Sequence, residues 1–230
     1  MNDQILNHQL EASGFRLVKV GAVLSLEASD NSFKPFYIDF IEGKNRHRRL
    51  FGGGKGQPLA RAVGMKKGFM PYVLDVTAGM GRDAFVLATL GCKVTMIERS
   101  PVISKLLENG LQRAMLETEV SQIVTRMNLY LADSLHFLET MDEGSKPDVI
   151  YMDPMYPHRG KSALVKKEMR IFRALVGDDD DSERLLELAR SRAQRRIVVK
   201  RPKGAEYLAG SKPHSEVVSK NTRYDIYLPV

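Results

Sequence analysis

The stretch DVIYMDPMYPH, residues 148–158, decides the fold. Val149 to Met152 form a short continuous apolar run, the pattern of a strand buried on both faces of a parallel sheet. The run stops in a polar turn that carries two prolines, Pro154 and Pro157. Each proline fixes its own φ and biases the residue before it, Asp153 or Tyr156, toward extended backbone. A carboxylate and an aromatic ring are thereby held on a stiff loop at the C-terminal end of a strand. In open α/β sheets that is where ligands bind.

Such a loop suits attack by an exocyclic amino group. An amino group conjugated to a purine is a poor nucleophile, and its N–H groups need acceptors that draw the lone pair out of conjugation. Asp153 and the carbonyl of Pro154 or Met155 are candidate acceptors, and Tyr156 is a candidate stacking face for a flipped base. An Asp-Pro turn with a tyrosine packed at its rim has the same sequence. The neighbouring segments are therefore needed to choose.

Outward from this stretch, strand and helix patterns alternate. Strands are expected at 72–77, 93–98, 128–133, 148–152 and 196–200, with helices at 81–90, 101–116, 134–141, 162–176 and 183–194 between and beside them. Pro101 suits a first helical turn. Two late strands, near 216–219 and 223–228, are close enough to form an antiparallel hairpin at the sheet edge. The fold class expected is α/β, a doubly wound and mostly parallel sheet ending in that hairpin. Residues 1–60 read as a small β-rich subdomain, with strands near 15–21, 22–27 and 36–41, and residues 61–230 as the main domain. The acidic run Asp178–Asp181 precedes a helix, where negative charge favours the macrodipole, so a capping role is expected.

Composition narrows the function. The 230 residues and 43% hydrophobic content fit one full α/β domain with a small appendage. The one cysteine, Cys92, excludes an intrachain disulfide framework and a Cys-rich zinc site, and its apolar setting predicts a buried thiol. No apolar run approaches 18 residues, and MNDQILNHQLE lacks a basic-then-apolar leader, so a cytoplasmic protein without membrane contact is expected.

The formal charge of +7 is clustered. Residues 44–67 hold eight Lys/Arg and no Asp or Glu, and residues 190–203 hold seven and none. A third cluster, Arg159, Lys161, Lys166, Lys167 and Arg170, follows the proline loop. Patches of this kind favour a polyanion such as RNA. The candidate contacts are Arg46, His47, Arg48, Arg49, Lys55, His158, Arg159, Lys161, Lys200 and Arg201. The Gly52–Gly56 segment is not a P-loop, because the spacing to a Lys-Ser/Thr pair is absent.

At the first strand-to-helix turn, Gly79-Met-Gly81-Arg-Asp-Ala84 reads G-x-G-x-x-A, and Glu98 follows Gly79 by 19 residues at a strand end. These features serve NAD and S-adenosylmethionine equally. The acids decide between them. Asp75 and Asp83 flank the glycines and would repel a pyrophosphate, whereas an acid-lined pocket suits a sulfonium and an ammonium. Asp133-Ser134 can hydrogen-bond an adenine amino group.

Together these segments resemble the class I, Rossmann-like, S-adenosylmethionine-dependent methyltransferases. The DPMYP loop is a variant of the Asp/Asn-Pro-Pro-Tyr/Phe motif of amino-group methyltransferases, with Met155 in place of the second proline. More closely, HRRLFGGGKG (47–56), DVTAGMGRDAFVLA (75–88), DVIYMDPMYPHRGKSALVKKEMR (148–170) and VVKRPKGAEYLAG (198–210) resemble the RsmJ (YhiQ-like) family. That resemblance implies methylation of the N2 amino group of one guanine in 16S ribosomal RNA, guanine 1516 in the family. It implies rRNA or an assembling small ribosomal subunit as partner. The catalytic residues would be Asp153, Pro154, Met155 and Tyr156, with no metal. The cofactor would be held by Asp75, Ala78, Gly79, Gly81, Arg82, Asp83, Glu98, Arg99, Asp133, Ser134 and Asp153. An N6-adenine methyltransferase and a non-catalytic RNA-binding assembly factor remain as alternatives. Oligomeric state is not legible.

Overall fold

The computed structural model describes residues 6, 10–32, 34–43, 45–47, 54–155 and 181–230, the side chain of Lys55 excepted. The helix expected over 162–176 lies outside the described residues, as do Arg48, Arg49, Tyr156, His158, Arg159 and Lys161. No helix among the described residues is long and apolar enough to cross a membrane.

The first elements are β1 (Phe15–Val20), β2 (Val23–Ala28) and α1 (Pro58–Ala62). Then follow β3 (Val73–Asp75), α2 (Arg82–Thr89), β4 (Val94–Glu98), α3 (Pro101–Met115), α4 (Ser121–Val124) and β5 (Met127–Leu131). The chain continues through α5 (Ser134–Thr140), β6 (Val149–Met152), α6 (Ser182–Arg192), β7 (Arg196–Pro202), β8 (Ser215–Val218) and β9 (Thr222–Tyr227).

Seven strands form one sheet in the order β5-β4-β3-β6-β7-β9-β8. The pairs from β5 to β7 are parallel, and β9 pairs antiparallel with both β7 and β8. This is the doubly wound sheet with a C-terminal antiparallel hairpin that the strand and helix spacing predicts. The strand order reverses at β3, so a crevice opens beyond the C-terminal ends of β3 and β6.

Alternation along each central strand divides the core between the two faces. Val73, Val149, Tyr151 and Val198 join a cluster with Phe85 of α2 and with Leu106 and Leu107 of α3. Leu74, Ile150, Met152, Ile197 and Val199 face Leu138 of α5 and Leu185, Leu186 and Ala189 of α6. Burying both faces explains why these strands read as continuous apolar runs. Cys92 is fully buried, as its apolar setting predicts.

β1 and β2 form a separate antiparallel ribbon in full register, from Phe15 opposite Ala28 to Val20 opposite Val23. Leu26, Ile38 and Phe40 nevertheless belong to the same buried cluster as α2 and α3. Asn109 of α3 clamps the ribbon, accepting from the Leu24 N–H and donating to the Ala22 carbonyl, both at 3.0 Å. The strand expected at 36–41 is absent. Only Phe36 bridges to Leu26. The Asp39 carboxylate accepts from the Ile41 N–H at 2.9 Å, and this local turn competes with strand pairing.

Candidate active site

The strand ends place the polar groups. The Asp75 carboxylate, at the end of β3, accepts from the Thr77 N–H at 3.0 Å and closes a tight side-chain turn. Beyond that turn Gly79 and Gly81 take positive φ, +53° and +65°. The Gly79 N–H donates to Glu98 Oε2 at 2.9 Å, and the Ser100 N–H donates to Glu98 Oε1 at 2.7 Å. Glu98 is therefore oriented by two backbone donors, one on each oxygen. Asp133 caps α5 by accepting from the His136 N–H at 2.9 Å, and the Ser134 hydroxyl donates to the Val76 carbonyl at 2.7 Å. These bonds tie the ends of β3, β4 and β5 into one rim.

The proline loop is tied to the same rim. The Asp153 N–H donates to the Thr77 hydroxyl at 2.6 Å. A cleft lies between these segments. Its walls include Thr77, Gly79, Glu98, Arg99, Asp133, Ser134, Asp153, Pro154 and Met155, with Val76, Ile97 and Leu185 as the apolar side. Asp181, expected only as part of a capping run, and Ser182, which the sequence did not single out, complete it at the start of α6.

The structure thus brings together Gly79, Glu98, Arg99, Asp133, Ser134, Asp153, Pro154 and Met155. It does not place the other expected cofactor residues on the cleft wall. Asp75 is 2% exposed beneath the glycine turn. Burial, reinforced by the charges of Asp83 and Asp153, pushes its pKa up to about 8. Ala78 is buried, and a Cβ on Gly81 would strike Leu107 at 2.8 Å, so Gly81 serves close packing against the core. Arg82 opens α2 and is half-buried. Asp83 is buried and accepts from the Tyr151 hydroxyl at 2.6 Å and from Lys200 Nζ at 2.7 Å. Burial first, then Asp83, holds the Tyr151 phenol well above its ordinary pKa.

The acidic run was expected to cap α6. Asp181 makes no side-chain capping bond there; its carboxylate lies 3.3 Å from Arg99 Nη1 instead. Asp178 lies outside the described residues. Lys200 and Arg201, expected among the phosphate contacts, are turned inward. Lys200 bonds Asp83 and Asp153, and Arg201, 6% exposed, donates to the Glu206 carbonyl. They directly continue the apolar run Ile197–Val199 of a buried strand, a signal that charge clustering alone concealed. Arg46 and His47 are exposed, with Arg46 3.9 Å from Glu42. Thr77 had a legible signal too, since Asp-x-Thr at a strand end suits a side-chain turn.

Among the described residues of the wall, Glu98, Asp133, Asp153 and Asp181 outnumber the cation Arg99. Carboxylates beside a glycine turn can accept ribose hydroxyls and an ammonium, and Ile97 and Leu185 offer an apolar surface for a base. That donor set fits S-adenosylmethionine and opposes a pyrophosphate.

The comparisons agree. A family model described as "Putative SAM-dependent methyltransferase" matches residues 2–229. The chain is 51% identical over 219 residues to a ribosomal RNA small subunit methyltransferase J from Ectopseudomonas mendocina, covering 95% of this chain and 81% of that one. It is 50% identical over 225 residues to a protein of the same name from Colwellia psychrerythraea, covering 98% and 77%. Among solved structures, a SAM-dependent methyltransferase from Neisseria gonorrhoeae matches with a TM-score of 0.76 at 37% identity, covering 94% of this chain and 83% of that one.

Proposed function

The chain belongs to the ribosomal RNA small subunit methyltransferase J family of SAM-dependent methyltransferases, and from that premise we propose that it methylates the N2 amino group of a guanine in 16S rRNA. Its partner is then small-subunit rRNA, naked or in an assembling subunit, in the cytoplasm. The observation that carries the reading is Asp153, pinned through its backbone to Thr77 and facing the same cleft as Glu98 and Gly79.

When bound, S-adenosylmethionine supplies a methyl group on a sulfonium sulfur, open to displacement by nitrogen. The Glu98 and Asp133 carboxylates hold the nucleoside part of the donor. Asp153 accepts one N–H of the target amino group, and a carbonyl of the Pro154–Met155 segment accepts the other. These acceptors turn the nitrogen lone pair toward the methyl and oppose the positive charge that develops on nitrogen. Tyr156, the next residue in sequence, is the candidate stacking ring for the flipped guanine. Arg46 and His47, with Arg48, Arg49, Lys55, His158, Arg159 and Lys161, are the candidate phosphate contacts, which position the RNA without reading bases.

The test is methylation of small-subunit rRNA from a strain that lacks this modification, with the product mapped by mass spectrometry. N2-methylguanine at one position is expected. Methyl on an adenine N6 would replace the reading with the adenine alternative. Asp153→Ala should retain the fold and lose activity by roughly 10²–10³-fold, as for loss of one preorganised transition-state hydrogen bond. Activity within threefold of wild type would remove Asp153 from this role.

A further inference from the structure

Lys200, on β7, sets its ammonium between two carboxylates from different elements. It lies 2.7 Å from Asp83 Oδ2, in the first turn of α2, and 2.8 Å from Asp153 Oδ2, in the loop after β6. The other titratable groups around this point are Asp75 at the end of β3, Tyr151 on β6, whose hydroxyl donates to Asp83 at 2.6 Å, and Tyr224 on β9. Among the described residues, Lys200 supplies the cation bonded to Asp83 and Asp153.

We propose that Lys200 is a positioning residue for methyl transfer, keeping Asp153 ionised and fixing the rotation of its carboxylate toward the target amino group. This rests on the reading of Asp153 as the acceptor for that group. The Asp153 side chain is 41% exposed, so water competes for its carboxylate. A charge-assisted bond of 2.8 Å to a lysine held at its other side by Asp83 sets one orientation against that competition. A lysine suits the place because one compact charge serves two oxygens arriving from different directions, which the planar fork of arginine does less well. The ammonium itself persists. Burial works against it, but Asp153 and Asp83 outweigh burial and raise its pKa above the ordinary lysine value.

The charge logic gives a readout that a purely structural lysine would not move. Without the Lys200 cation, Asp153 faces the Asp83 carboxylate, so its own carboxylate becomes easier to protonate. The activity that needs the ionised form then falls at low pH. The acid limb of kcat/KM reports this directly.

The experiment measures kcat/KM from pH 5.5 to 9 on small-subunit rRNA lacking the methyl group, for the wild type, Lys200→Met and Lys200→Arg. In Lys200→Met the acid limb should move up by at least one pH unit. The rate at pH 6 should then fall further below wild type than the rate at pH 8.5, by up to tenfold per unit of movement. Lys200→Arg keeps the charge, so its limb should stay in place while kcat falls. Removing one partner of a buried pair can unfold a protein. Lys200→Met/Asp83→Asn therefore runs alongside; it removes the anion as well as the cation, so the upward movement should remain but be smaller than in Lys200→Met. Calorimetry with S-adenosylhomocysteine identifies folded enzyme in each case. Limbs that superimpose on wild type in both neutral variants overturn the proposal and make Lys200 a structural residue. Asp153→Ala separates the two failures: near wild-type activity there removes the reading of Asp153, and the proposal with it.

Discussion

The Asp153 N–H donates to the Thr77 hydroxyl at 2.6 Å, joining the loop after β6 to the turn after β3. The Thr77 hydroxyl also lies 3.4 Å from Asp75 Oδ1, so the position of Asp153 is set from the end of the neighbouring strand. Thr77→Val keeps the shape and removes the acceptor. The lost bond is worth about 0.5–1.5 kcal/mol, which amounts to roughly two- to tenfold in kcat if it acts only through loop position. Affinity for S-adenosylhomocysteine should change less than kcat, and Thr77→Ser should recover most of the rate. A Val variant with unaltered kcat would show that the loop holds its place without Thr77.

Asp75 gives a pH prediction. Its pKa stands near 8 in the folded protein, against an ordinary value of 3.8, chiefly through burial. A raised folded pKa means that the folded state binds the proton more tightly than the unfolded chain does. The stability this contributes is complete below pH 3.8 and is lost progressively as pH rises to about 8. Asp75→Asn retains an acceptor for the Thr77 N–H and cannot ionise. Its melting temperature should gain on the wild type as pH rises from 5 to 8.5. Parallel pH curves for the two proteins would place the Asp75 charge elsewhere.

The site was legible where one strand end carries both its backbone signal and its chemistry. Glu98, Asp133 and Asp153 each follow an apolar run directly, Gly79 lies in the turn just beyond one, and the parallel sheet lines such ends along one edge. Asp75 and Asp83 are buried, and an acid near a glycine turn looks the same whether it faces the cleft or the core. Tyr151 and Lys200 donate to Asp83 from neighbouring strands, at sequence separations of 68 and 117 that local pattern cannot reveal. Arg201 was picked out by charge alone, yet it is buried, and so is Arg223. Arg223 is buried against the fully buried Asp225, with Nε 2.6 Å from Oδ1, and it also donates to the Ala205 carbonyl at 2.9 Å.

Gly110 tests how the N-terminal segment docks. It sits in the middle of α3, where alanine would ordinarily be favoured by up to about 1 kcal/mol. A Cβ there would lie 2.9 Å from the Ile38 carbonyl oxygen, which also accepts from Arg113. A backbone oxygen held in this way cannot easily retreat. Gly110→Ala should therefore lower stability by about 1–3 kcal/mol, as overpacking does. Thermal unfolding checks this, and a raised melting temperature would mean that residues 36–41 yield at little cost.

Glu98→Ala separates binding from chemistry. The carboxylate faces the cleft from the end of β4, on the rim expected to hold ribose and away from the target amino group. Contacts to a part of the donor that does not react contribute alike to the ground and transition states, so their loss raises KM and spares kcat. The two backbone bonds add a second effect. Gly79 and Ser100 would each lose the acceptor for a buried or half-buried N–H, at about 1–3 kcal/mol apiece where water cannot replace it. The variant should therefore show a raised KM for S-adenosylmethionine, a near-normal kcat at saturation and a lowered melting temperature. S-adenosylhomocysteine should restore part of that stability, in proportion to the affinity that remains. A large loss of kcat at unchanged KM would contradict the placement of Glu98 on the donor side of the cleft.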